Sequence, residues 1–401
     1  MTNEGTPARP GHPGLLHRFD VVADLGGGAL NALDLFAGVG WGLAARSLGI
    51  DDYGVDNMPE VQATRRAVGL HNYHTDVWTL GADAADFDGQ IASPPCQTFS
   101  QSGKGAGRKA LTNVLGAIED RTYASLAHLR DLGQVVGDER TALVLTPLHY
   151  AMAYRPRWIA WEQVPTVLPV WLRSAEELSR AGYSTWVGHL HSEQYGVPQT
   201  RKRAFLLASL DREARPPEPT HSKYHPRSPS KLDPGVKPWA SMADALGWAL
   251  EPGEATVRGS LGKPKTHHAD GTRAGGDHTY DPTLRPSYTV TSMEQALINV
   301  RWAVEPDGND EWPGTRPSPT IVGTFAPDVV AAPGWRKPGD GPRQSQPGSV
   351  RVSVEEASIL QGFPPGLPWQ GSKSKQRLMI GNAVPPPLAR AVLASLTKGA
   401  P

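Results

Sequence analysis

Along the first half of the chain, short apolar runs alternate with stretches of helical character, and most runs stop at a glycine turn or an acid. Ala32-Leu33-Asp34-Leu35-Phe36 runs into a glycine turn, after which Leu43 to Leu48 has helical character. Tyr53-Gly54-Val55 is a short strand ending at Asp56, followed by helical Pro59 to Gly69. Gln90-Ile91-Ala92, Trp158 to Trp161 and Ala204 to Ala208 read as three further strands. Strands alternating with helices predict an α/β fold with a doubly wound parallel sheet. In such sheets functional groups collect beyond the carboxyl ends of the strands, and Asp56, Cys96 and Glu162 all fall there.

The texture changes after about Asp211. Pro, Gly, His and Trp become frequent, apolar runs shorten, and helical periodicity persists only near Ser241 to Leu250. This stretch, to roughly Ser349, predicts a smaller irregular or β-rich domain. Arg285-Pro286-Ser287-Tyr288 and Arg316-Pro317-Ser318-Pro319 open two similar segments, read as repeated turn-then-strand chemistry rather than a tandem repeat. Helical character returns at Val354 to Gln361, then comes a Pro-rich turn and a final helix.

Composition narrows the function classes. No run of about eighteen apolar residues exists, so no membrane span is expected, and Met1 to Pro13 lacks the pattern of a signal peptide. The formal charge is zero, which argues against bulk electrostatic adhesion to nucleic acid. Its distribution is uneven: between Arg201 and Ala240 nine Lys/Arg face four acids, a basic stripe in a neutral protein. The single cysteine forms no internal disulfide and fits a reducing cytoplasm.

That cysteine, Cys96, follows two prolines at a strand tip, where a thiol is a candidate nucleophile; a small core hydrophobe is the competing reading. The turn Phe36-Ala37-Gly38-Val39-Gly40 lets the backbone approach a ligand. Asp56 and Asp76, at successive strand ends, suit ribose hydroxyls, with a helix N-cap as the alternative for either alone. Glu162 beside Trp161 and Val164 should have a raised pKa, which suits a ring nitrogen. Gln199, Arg201 and Arg203 are predicted on one face of a strand, against a solvated basic edge as the alternative. Zinc binding by His221, His225, His267 and His268 is disfavoured, because no cysteine partners them and no ligand spacing recurs.

Five motifs taken in order, Asp34 to Gly40, Pro94 to Ser100, Glu162 to Val164, Gln199 to Arg203 and Gly381 to Pro386, resemble the DNA (cytosine-5)-methyltransferases. The resemblance covers about Ala32 to Ala208 and Val350 to Ala394. It implies a Rossmann-like S-adenosylmethionine-dependent methyltransferase domain at 31–210, completed by a C-terminal segment at 350–401. A flexible segment at 1–30 would precede it, and a target-recognition domain at 211–349 would interrupt it. The Cys96 thiolate would add to cytosine C6, Glu162 would engage N3, and Arg203 would contact the carbonyl oxygen with Arg201 in support. S-adenosylmethionine, leaving as S-adenosylhomocysteine, would be lined by Phe36, Ala37, Gly38, Val39, Gly40, Asp56, Asn57, Asp76, Val77, Pro95, Leu143, Asn382 and Val384. Gln97, Ser100, Arg140 and Gln199 would meet double-stranded DNA, from which the target base must be flipped. No metal is expected. The further expectations are a cytoplasmic monomer in a bacterial cell, chromosomally or phage encoded, with a cognate restriction enzyme as a candidate partner.

Three positions depart from the family pattern: Gln163 replaces an asparagine, Trp41 a glycine whose space its ring must leave, and Asp56 a glutamate. The stretch from 103 to 139 is longer than the family's mobile loop. A tRNA cytosine-5 methyltransferase is disfavoured because its relatives carry a second cysteine. An amino-methyltransferase of the SPPY type is disfavoured because Cys96 follows Ser93-Pro94-Pro95. A non-catalytic DNA-binding relative would not need Cys96, Glu162 and Arg203 together.

Overall fold

The computed structural model describes residues 30–95, 106–225, 228, 230–247, 255–258, 279–280, 286–288, 299–302, 349–351 and 353–397. Among the described residues, eight strands precede Leu210: β1 (Asn31–Leu35), β2 (Asp51–Val55), β3 (His71–His74), β4 (Gly89–Ala92), β5 (Trp158–Gln163), β6 (Ser184–His191), β7 (Gln199–Thr200) and β8 (Lys202–Ser209). Seven form one sheet in the order β3-β2-β1-β4-β5-β8-β6. The predicted α/β class holds, with one correction. β3, β2, β1, β4 and β5 are parallel, whereas β8 runs antiparallel to both β5 and β6.

Burial on both faces explains the near-continuous apolar character of the central strands. Every residue of β4 and β5 is buried, and the polar Gln90 is satisfied by the Trp161 indole N–H at 2.8 Å. Helices α1 (Gly40–Arg46) and α2 (Pro59–Ala67) connect the first strands. The segment between β4 and β5 carries α3 (Ala106–Glu119), α4 (Leu126–Val136), α5 (Glu139–Ala142) and α6 (Thr146–Tyr154), and α7 (Leu168–Arg180) joins β5 to β6. One core face packs Leu33, Leu35, Trp161 and Leu206 against Leu148, Trp171 and Leu178. The long stretch before Asp138 joins this face: Val114, Ala117 and Ile118 are buried in the same cluster, and the Tyr123 hydroxyl donates to Glu177 at 2.6 Å.

The other face is closed from far along the chain. After α8 (Met242–Leu246) come α9 (Val354–Leu360), α10 (Lys373–Asn382) and α11 (Pro386–Thr397). Leu388, Val392 and Leu393 of α11 pack with Trp41, Ile91, Trp158 and Phe205. Met242, Ile359, Phe363, Trp369 and Ile380 cover Val39, Leu43 and Val61. α9 begins with a capping box between Ser353 and Glu356. Between α8 and α9 the short strands β9 (Ala255–Arg258), β10 (Thr279–Tyr280), β12 (Asn299–Trp302) and β13 (Ser349–Arg351) pair in the order β10-β9-β12-β13, while β11 (Ser287–Tyr288) pairs with β7.

The strand order reverses between β1 and β4, the switch point beyond whose carboxyl ends open α/β sheets bind their ligands. Register aligns those ends: Leu35 lies opposite both Val55 and Ala92, and Ala92 opposite Trp161. Because β8 is antiparallel, its beginning rather than its end reaches this rim, with Glu162 opposite Phe205.

Candidate active site

Glu162 is buried at the end of β5. Arg203, near the start of β8, places Nε 3.1 Å from Glu162 Oε1. Burial, the largest influence, pushes the Glu162 carboxyl above the usual carboxylate range, while Arg203, Arg201 and a hydrogen bond with Ser93 pull the other way. The result is an acid group beside a cation at the carboxyl-end rim of the sheet, able to carry a proton toward a ring nitrogen.

Ser93-Pro94-Pro95 leaves β4 beside this pair and is held at two points. The Trp41 indole N–H donates to the Ser93 hydroxyl at 3.0 Å, and the Gln163 side-chain amide donates to the Pro94 carbonyl. The Gln163 side-chain oxygen accepts from the Val164 backbone N–H. Gln163 therefore spends its length on the proline segment. Trp41 is 2% exposed and turned away from the turn, edge-on to Phe205 with ring centroids 6.3 Å apart. Cys96, Gln97 and Ser100 lie outside the described residues.

Gln199, Arg201 and Arg203 do not share a strand face, since the strand is interrupted at Arg201, between β7 and β8. Nor are they a solvated edge, because β8 is flanked by β5 and β6. Gln199 is wholly buried and donates to the Leu360 carbonyl at 3.1 Å and to Gln361 Oε1 at 2.8 Å. That placement corrects its expected contact with DNA. Arg201, 1% exposed, donates to the Gly381 carbonyl at 3.0 Å. It ties the rim to α10 and lowers the Glu162 pKa through its charge. Arg140, on α5, is engaged in a two-point ion pair with Asp138 at 2.9 Å.

The glycine turn follows β1. Phe36 adopts a left-handed backbone with φ 61°, unusual for a residue with a Cβ, and the Ala37 N–H donates to the Val55 carbonyl at 3.0 Å. Phe36 and Gly38 are partly exposed, whereas Ala37, Val39 and Gly40 are buried. The side chains of Ala37 and Val39 thus belong to the core. The glycines differ in what they admit. A Cβ on Gly38 would meet nothing within 4 Å, whereas one on Gly40 would overlap the Val384 carbonyl oxygen. The Val384 backbone thus packs against the turn at Gly40, and neighbouring Asn382 is exposed at the end of α10.

Asp56 and Asp76 follow β2 and β3. Asp56 accepts from the Met58 N–H at 2.7 Å, and burial pushes its pKa up to about 6. Asp76 accepts from the Trp78 N–H at 3.0 Å. Asn57 is exposed and Val77 buried, its carbonyl accepting from the Tyr150 hydroxyl at 2.6 Å. Leu143 and Pro95 are half-buried.

Sequence reasoning missed one group beneath the turn. The Arg65 side chain is fully buried, paired with Asp52, and 3.8 Å from Asp34. It also donates to the Gly38 carbonyl at 2.6 Å and the His71 carbonyl at 2.7 Å. Gly54 and Gly42 leave it space: a Cβ on Gly54 would overlap the guanidinium, and one on Gly42 would lie 2.8 Å from Asp52 Oδ2. No local signal marks Arg65 as buried. Among the described residues no group of three or more His, Cys, Asp or Glu could hold a metal ion, and no helix is long and apolar enough to cross a membrane.

Residues 133–398 match the family model for C-5 cytosine-specific DNA methylases. That span contains Glu162, Arg201 and Arg203; the glycine turn and Cys96 precede it. The chain is 24% identical over 384 residues to the type II methyltransferase M.HgiDI of Herpetosiphon aurantiacus, covering 92% of this chain and 94% of that protein. It is 26% identical over 401 residues to M.XorII of Xanthomonas oryzae, covering 91% and 84%. The fold resembles the crystal structure of S. pombe Dnmt2 methyltransferase, with a TM-score of 0.52 and 17% identity over 92% of this chain and 98% of that one. A family model that spans two thirds of the chain, with the acid–cation pair and the C-terminal helices inside it, settles the assignment: the chain belongs to the C-5 cytosine-specific DNA methylases.

Proposed function

We propose that the protein transfers a methyl group from S-adenosylmethionine to C5 of cytosine in a specific double-stranded DNA sequence, with Cys96 as nucleophile. The observation that carries this reading is the buried Glu162–Arg203 pair facing the segment that leads to Cys96. Cytosine C5 is a weak nucleophile. Addition of the Cys96 thiolate to C6 forms a C–S bond and makes C5 enamine-like. Protonated Glu162 hydrogen-bonds N3 and stabilises charge developing on the ring, and Arg203 contacts the carbonyl oxygen. After methyl transfer, loss of the C5 proton lets the C–S bond break and returns the thiolate. The base reaches the pocket by flipping out of the duplex.

S-adenosylmethionine, when bound, supplies the electrophilic methyl group. The slot suits it: space stands open over Gly38, Phe36 and Leu143 offer half-buried apolar surface, and the carboxyls of Asp56 and Asp76 stand at adjacent strand ends to accept ribose and amine hydrogens. Residues 211–349 carry target recognition, and Cys96 with Gln97, Ser100 and Arg140 borders the DNA. The type II relatives make a partner restriction enzyme the natural context.

DNA in which cytosine is partly replaced by 5-fluorocytosine tests the reading, because fluorine at C5 cannot leave as a proton does. The protein should form a covalent adduct with that DNA and Cys96→Ser should not. An adduct that persists in the serine variant overturns the assignment.

A further inference from the structure

Trp41 and Ser93 are 52 residues apart in the chain, on α1 and just beyond β4. An indole nitrogen can only donate a hydrogen bond, while a hydroxyl has one hydrogen and two lone pairs. When Ser93 accepts from Trp41, its own hydrogen is left for another acceptor, and Glu162 stands beside it: Ser93 follows Ala92, the register partner of Trp161, so Ser93 and Glu162 lie next to each other at the ends of adjacent strands. The Trp41 ring has little freedom to release that bond: it is almost fully buried, and Phe205, edge-on to it, is the cross-strand neighbour of Glu162.

We propose that Trp41 is a positioning residue for Glu162, its indole N–H holding the Ser93 hydroxyl so that the hydroxyl hydrogen faces the carboxyl group. Trp41 touches neither base nor methyl donor. It sets which face of the carboxyl group is occupied by Ser93 and which is presented to the cytosine ring. The same bond holds the first residue of the Ser93-Pro94-Pro95 segment, while Gln163 holds the second.

This inference rests on the roles given above to Glu162 and Cys96. It is tested by single-turnover methyl transfer to unmethylated genomic DNA, with S-adenosylmethionine affinity and KM for DNA measured in parallel. Trp41→Phe keeps an aromatic ring beside Phe205 while removing the donor together with part of the ring volume, which Ser93→Ala leaves intact. Ser93→Ala removes the intermediary oxygen. Each should slow methyl transfer by about fivefold to tenfold, the worth of one net hydrogen bond, with cofactor affinity and KM for DNA unchanged. The double variant should be no slower than the slower single one, because both act through one hydroxyl. Wild-type rates in either single variant, losses that multiply in the double variant, or cofactor affinity falling in step with rate would each overturn the role of Trp41. The 5-fluorocytosine adduct keeps the two failures apart. No adduct in the wild-type protein sinks the assignment of Cys96, whereas a wild-type adduct with an unimpaired Trp41→Phe sinks only this inference.

Discussion

The Nη1 of Arg65 lies 2.6 Å from the carbonyl oxygen of Gly38, so the turn after β1 rests on a buried guanidinium. The same group answers Asp52 and lies close to Asp34. Removing it leaves buried carboxyl groups without their cation. Arg65→Met should therefore destabilise the protein by about 3–5 kcal/mol, the usual loss when one partner of a buried pair is deleted. Urea denaturation measures this, and unchanged stability would rule out the brace.

Asp34 has a carboxyl group pushed well above its ordinary range. Burial is the largest cause, Asp52 adds to it, and Arg65 opposes it. A folded-state pKa above the unfolded value means the stabilising contribution is fully present below the unfolded pKa. It is lost as pH rises through the folded one. Asp34→Asn, which cannot ionise, should gain stability relative to the wild type as pH is raised. Denaturation midpoints of the two proteins across acidic to alkaline pH check the sign, and parallel curves would refute it.

Asp56 titrates near 6, raised by burial against the Met58 N–H and Arg65. Only the ionised form offers both oxygens as acceptors to a ribose. Cofactor affinity measured by calorimetry should fall as pH drops below about 6. Asp56→Asn should weaken it by about tenfold or more at neutral pH, as for a hydrogen bond to a charged group. A flat pH dependence would remove Asp56 from the cofactor site.

Gly38 and Gly40 should respond oppositely to alanine. At Gly40 the new methyl group overlaps the Val384 carbonyl, forcing α10 and α11 to shift and costing about 1–3 kcal/mol. At Gly38 the methyl meets nothing, so thermal stability should hold while cofactor affinity falls. Loss of stability at Gly38, or none at Gly40, would show that the turn is packed differently.

The sequence alone determined the central strands, the glycine turn, the acids at strand ends and the rim position of Glu162. Each is a local pattern: an apolar run buried on both faces, stopped by a residue that suits a turn. β6 escaped it because Gly188, His189 and His191 interrupt its apolar positions. The antiparallel course of β8 escaped because strand direction is set by the connection, not by composition. Tertiary structure alone decided that Gln199 faces inward to Gln361, that Gly40 makes room for Val384, that Arg65 is a buried brace, and that Trp41 reaches Ser93. These pairs lie 162, 344, 27 and 52 residues apart, counting Arg65 to Gly38. A polar side chain gives no local sign of burial, since burial is tolerated only where distant partners satisfy its hydrogen bonds, and only the folded chain brings those partners within reach.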